Sequence, residues 1–107
     1  MKYLITEGQF DKMIFKYLDN QDFIKIKKGK RIYFVNSEGD EHAQIRFDKD
    51  GWCFIYYKLV DEIYMFFSLQ EDSSEEVIGR WVENTLQMKV TNISVVGMRE
   101  QLMVENT

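Results

Sequence analysis

"SSEEVIGRWVENTLQMKVTNISVV", residues 73–96, decides the fold reading, because the hydrophobic period changes within it. Val77, Ile78, Trp81, Val82, Thr85 and Leu86 recur at helical spacing and predict a broad buried stripe centred on Trp81. Ser73 and Glu76 have the spacing of a capping box, so the helix is expected to start there. Past Leu86 the period falls to two, and Val90 with Ile93 to Val96 predicts a final strand. Gly79 lies inside the helix, where it costs about 0.8–1 kcal/mol relative to Ala. A close backbone contact is the expected reason for it. Nearly every distinctive residue here is apolar or a cap, so the stretch reads as a helix–turn–strand packing unit rather than as chemistry.

Upstream, "LVDEIYMFFSL" at 59–69 fits either a helix or a strand. Leu59, Ile63, Phe66 and Phe67 have helical spacing, whereas Ile63, Tyr64, Phe66 and Phe67 have β-propensity. Asp61 and Glu62 favour a short helix with those acids near its N-terminus. The middle of the chain alternates. "DFIKIKK", "RIYFV", "HAQIRF" and "WCFIYY" predict four antiparallel strands in a meander. In the third, Ala43, Ile45 and Phe47 face inward, and His42, Gln44 and Arg46 outward. "DKDG" at 48–51 predicts a tight hairpin, since Gly51 accepts positive φ.

At the N-terminal end, Thr6 and Gln9 form a second capping box, with Ile5 and Phe10 as a hydrophobic staple. Phe10, Met13, Ile14, Tyr17 and Leu18 make the apolar face of a first helix. The expected fold is therefore a single α+β domain over 1–107. It has an antiparallel four- to five-stranded sheet, with an N-terminal and a C-terminal helix packed on it through Phe10, Ile14, Trp81, Val82 and Leu86.

Composition narrows function. The 107 residues suit one domain with one core, 45% apolar and 30% charged. The net charge of −4 gives no long-range attraction for nucleic acid or anionic membrane. One cysteine, Cys53, excludes an internal disulfide or a cysteine-based zinc site. The opening "MKYLITEGQF" lacks the apolar run of a signal peptide, and no run approaches a membrane span of about 20 residues. A cytoplasmic protein without membrane contact is the expectation.

Two segments carry a family resemblance. "YLITEGQF" at 3–10 and "FFSLQEDSSEEVIGRWVENTLQMKVTN" at 66–92 resemble a group of small uncharacterised proteins of marine contractile-tailed phages. The resemblance covers the two ends of the chain. It implies a source, the cytoplasm of an infected host or the virion itself. It brings no activity, cofactor or catalytic residue.

Among candidate sites, the sharpest charge feature is "KIKKGKR" at 25–31. Lys25, Lys27, Lys28, Lys30 and Arg31 on a hairpin tip are suited to phosphates, and Tyr33 to stacking on a base. Lysines that guard a sheet edge give the same pattern and are the favoured reading. His42 is the sole histidine. With a two-residue Asp50–Gly51 turn, Cys53 falls opposite Asp48, and His42 is roughly 20 Å from Cys53. A Cys–His pair is not expected, and Cys53 reads as a buried small residue. "DKDGW" lacks the ligands of a calcium loop, having Arg46 and Tyr57 at its first and twelfth positions. The acids Asp61, Glu62, Glu71, Asp72, Glu75 and Glu76 read as helix N-termini. They also suit a basic partner, including the basic hairpin of a second copy. The aromatic residues of 52–67 exceed what one face of a small sheet needs, so the sheet is covered on both faces or shows an aromatic patch. No catalytic or metal-binding motif and no cofactor signature is present. The expectation is a non-catalytic protein–protein interaction module, with an unknown partner or itself. The alternative is a weak nucleic-acid binder using 25–31.

Overall fold

In the computed structural model, the described residues are 7–97 and 102–104. The elements run α1 (Glu7–Asp19), β1 (Ile24–Lys28), β2 (Arg31–Val35), β3 (His42–Ala43), β4 (Ile45–Asp48), β5 (Trp52–Tyr56), α2 (Tyr57–Phe67), α3 (Glu71–Leu86), β6 (Asn92–Val96) and β7 (Leu102–Met103). A five-stranded sheet has the order β1-β2-β4-β5-β6, and β3 pairs with β7 in a small second sheet. The architecture is α+β, with the helices packed on a mostly antiparallel sheet.

The core lies between the sheet and the helices. Ile14 and Leu18 of α1, Leu59, Val60 and Ile63 of α2, and Val77, Ile78, Trp81 and Val82 of α3 meet Ile32, Phe34, Ile45, Phe47, Cys53 and Ile55 of the strands. Leu86 is half-buried at its margin, while Met13 is 50% exposed rather than part of the buried face. The expected Thr6–Gln9 cap and Ile5–Phe10 staple fall outside what is described. Two polar links tie α3 to α1. Trp81 Nε1 donates to Asp19 Oδ1 at 2.9 Å, and Arg80 donates to both Asp11 oxygens at 2.8 and 3.0 Å.

Of segment 59–69, residues 59–67 are helical, and Ser68 ends the helix in the left-handed conformation. Three buried residues, Leu59, Val60 and Ile63, anchor it, so core packing overrides the β-propensity of its aromatic residues. Asp61 and Glu62 sit in its second turn, too far in for the dipole argument. α3 starts earlier than its capping box implies. Its N-cap is Gln70, and Ser73 is already helical. Buried Ser74 donates its hydroxyl to Gln70 O at 2.9 Å. That bond is made to a carbonyl and caps no N–H group, and Gln70 itself makes no side-chain cap bond.

Three departures concern the sheet. First, β6 runs parallel to β5, not antiparallel. The α2–α3 crossover returns the chain to the end where β5 began, and Thr91 N and Asn92 N both donate to Gly51 O, at 2.8 and 3.3 Å. Second, the third strand breaks at Gln44, whose N–H donates to Phe34 O and whose carbonyl accepts from Tyr56 N. Ile45 and Phe47 face the helices, but Ala43 joins a second cluster on the opposite face, with Tyr33, Val35, Val96 and Leu102. Third, Cys53 lies opposite Phe47, not Asp48, which makes the β4–β5 turn the three residues 49–51. Gly51 has φ +108°, and a Cβ there would overlap Thr91 Oγ1.

Candidate interaction surfaces

α2 carries more apolar residues than its buried stripe uses. With Leu59, Val60 and Ile63 inward, Tyr64, Met65 and Phe66 fall on other faces of the helix. Met65 is 75% exposed and Phe66 70% exposed. The Phe66 ring lies 5.1 Å from that of Tyr17 on α1 and 5.4 Å from that of Phe67, and Tyr17 meets Phe67 edge-on at 5.6 Å. Exposed Met13 stands one helical turn before Tyr17. The Tyr17 hydroxyl donates to Glu62 Oε2 at 3.3 Å. Burial, followed by the Glu62 carboxylate, pushes the Tyr17 phenol above its ordinary range. On the far side of α2, Tyr64, Met65, Ser68, Leu69 and Gln70 line a shallow depression of about 400 Å³. The end of α2 is thus an aromatic and methionine patch with exposed acids, Asp61 and Glu62, beside it.

The basic segment 25–31 does not act as one cluster. Lys25 pairs across β1–β2 with Phe34 and Lys27 with Ile32, so both lie on the helix side of the sheet. Lys25 there lines a small depression beside Asp19, Asp22 and Trp81. Lys28 pairs with Arg31 on the other side, and Lys30 occupies the turn. Tyr33 presents no ring to a ligand, which corrects its assignment as a stacking residue. It is fully buried in the second cluster, flanked by half-buried Ile26.

A different set gathers at that end of the open face. The β4–β5 turn docks on the β1–β2 turn, Lys49 N donating to Lys30 O at 2.9 Å. Trp52, 40% exposed, stacks on half-buried Phe54 with ring centroids 5.7 Å apart and planes 17° apart. The Arg46 guanidinium lies 4.2 Å from the Phe54 centroid and donates to both Asp48 oxygens at 3.1 and 3.3 Å. Arg31 stands 3.8 Å from Asp48. In the sequence, Trp52 counts toward the aromatic excess and Arg46 points outward, but neither they nor Lys49 are assigned to a site. Their signal was the strand alternation, which puts Trp52 and Phe54 on the face opposite Cys53 and Ile55. The aromatic excess of the sequence is therefore divided between rings under the small β3–β7 sheet and rings left open.

Cys53 is fully buried, and burial followed by the Asp48 charge pushes its thiol up to about 12. It is protonated at neutral pH. His42 is exposed and pairs with Met103 in the other sheet. Among the described residues, no group of three His, Cys, Asp or Glu side chains could hold a metal ion, and no helix is long and apolar enough to cross a membrane.

No family model, curated protein or solved structure matches the chain.

Proposed function

We propose that this protein is a non-catalytic protein–protein interaction module, an accessory or virion-associated protein of a contractile-tailed phage, that docks its partner on the end of α2. One observation carries the reading: Met65 and Phe66, consecutive in sequence, stand 75% and 70% exposed at the end of a helix whose buried stripe is Leu59, Val60 and Ile63. Methionine and aromatic residues are enriched at interfaces, and methionine adapts its shape to a partner. Asp61 and Glu62 at the rim favour a partner with basic residues around its apolar anchor. The phage assignment rests on the segments 3–10 and 66–92, and the second of these contains Phe66 itself.

The test is affinity capture from nuclease-treated lysate of the natural host, with wild type and the Met65→Glu/Phe66→Glu double variant side by side. The reading predicts a partner held by wild type and lost by the variant. Identical captured sets would overturn it.

A further inference from the structure

We infer that the turn end of the open sheet face binds single-stranded nucleic acid, with Trp52 stacking on a base and Lys28, Lys30 and Lys49 contacting phosphates. This goes beyond the protein-docking reading and uses none of its residues.

The argument starts from charge. The chain is acidic overall, at −4, and Asp40 and Glu41 share a depression with Lys28, but the turn end itself holds Lys28, Lys30, Arg31, Arg46 and Lys49 against Asp48 and Asp50. Both carboxylates are engaged. Asp48 is held by Arg46 and faces Arg31, while Asp50 Oδ1 accepts from Trp52 N at 3.2 Å. Lys28, Lys30 and Lys49 make no ion pair among the described residues. The Lys49 N to Lys30 O bond joins the two turns, and Lys28 pairs with Arg31 and Arg31 with Asp48, so the three lysines share the turn end of the sheet with Trp52. Lysine is depleted at protein interfaces, so this pattern fits a polyanion better than a second protein partner. A polyanion alone would not require Trp52. Trp52 is backed by Phe54, which Arg46 covers in turn, so the indole rests on a prepared support. An aromatic ring on a sheet face stacks on unpaired bases, whose faces a duplex hides.

The test measures anisotropy of short labelled single-stranded DNA and RNA, and of the matching duplex, between about 50 and 200 mM salt. Three phosphate contacts give a slope of log affinity against log salt of about −2, becoming shallower by about 0.7 for each lysine removed. Trp52→Ala is expected to weaken single-strand binding roughly five- to hundred-fold, the range for one lost stack, and Trp52→Phe to retain most of it. Trp52 is part-exposed, so both variants should fold, and matching urea midpoints would verify this. Absence of binding at low salt, a preference for duplex, or affinity indifferent to Trp52→Ala would each overturn the inference. The last outcome would show a polyanion surface without base contact.

Discussion

Gly79 of α3 and Ile93 of β6 are in such close contact that a Cβ on Gly79 would stand 2.6 Å from Ile93 Cδ1. The approach that justifies glycine inside this helix is therefore made by a side chain, not by backbone. It is also where the crossover helix seats the parallel strand. Gly79→Ala gains about 0.8–1 kcal/mol of helix propensity but must displace a methyl. Ile93→Val removes that methyl at a cost of about 0.5–1.5 kcal/mol. The double variant should be more stable than the sum of the singles by at least about 0.5 kcal/mol, read from urea midpoints. Strict additivity would show that the two residues are not coupled.

Trp81 joins three elements. Its ring lies 5.3 Å from Phe34 and 5.9 Å from Phe23, and its N–H reaches Asp19 at the end of α1. Asp19→Ala leaves a buried donor without its acceptor and should cost about 1–3 kcal/mol. Asp19→Asn keeps an acceptor there and should cost clearly less. Equal losses for both variants in chemical denaturation would dismiss the hydrogen bond as the cause.

Tyr33 gives the opposite expectation. Its hydroxyl is buried and has no hydrogen-bond partner among the described residues. Removing an unsatisfied buried polar group relieves its desolvation cost, so Tyr33→Phe should leave stability unchanged or raise it by about 1 kcal/mol. A loss of more than about 1 kcal/mol in thermal or urea unfolding would reveal a partner for that hydroxyl.

Cys53 sets a pH dependence. The unfolded thiol ionises near 9.0 and the folded one at about 12. Below pH 9 both states keep the proton and the thiol adds no pH dependence. Between pH 9 and pH 12 the unfolded state loses its proton first, so stability falls as pH rises, by up to about 1.36 kcal/mol per unit. Between about pH 8 and about pH 10.5, wild type should lose roughly 1–2 kcal/mol more than Cys53→Ala, which lacks this group. Parallel losses in the two proteins would contradict a buried thiol. In the native state the thiol should also resist alkylation at pH 8.

The element order and most of the core were legible because period carries that information. Ile14, Trp81 and Val82 follow from helical spacing alone. Strand direction was not legible: "NISVV" alternates identically in a parallel or an antiparallel pair, and the direction follows from the α2–α3 crossover that returns the chain to Gly51. Nor did the sequence reveal the break at Gln44, because the alternation of Ala43, Ile45 and Phe47 runs straight through it. The candidate surfaces were legible only in part. Treating 25–31 as a single tip hid its own alternation, which sends Lys25 and Lys27 to one face and Lys28 to the other. Tyr33 reads as a half-exposed strand residue until the small β3–β7 sheet is known to cover that face. Met65 and Phe66 look like core by composition. Their exposure follows from the rotation of α2 once Leu59, Val60 and Ile63 are seated.

The central claim is that the end of α2 is a docking surface for protein. The most direct measurement places a photo-crosslinking phenylalanine analogue at Phe66 and, separately, at exposed Glu38 between β2 and β3, in cells that make the protein naturally. The account predicts a discrete protein adduct from position 66 and none from position 38. No adduct from position 66, or the same adducts from both, would contradict it.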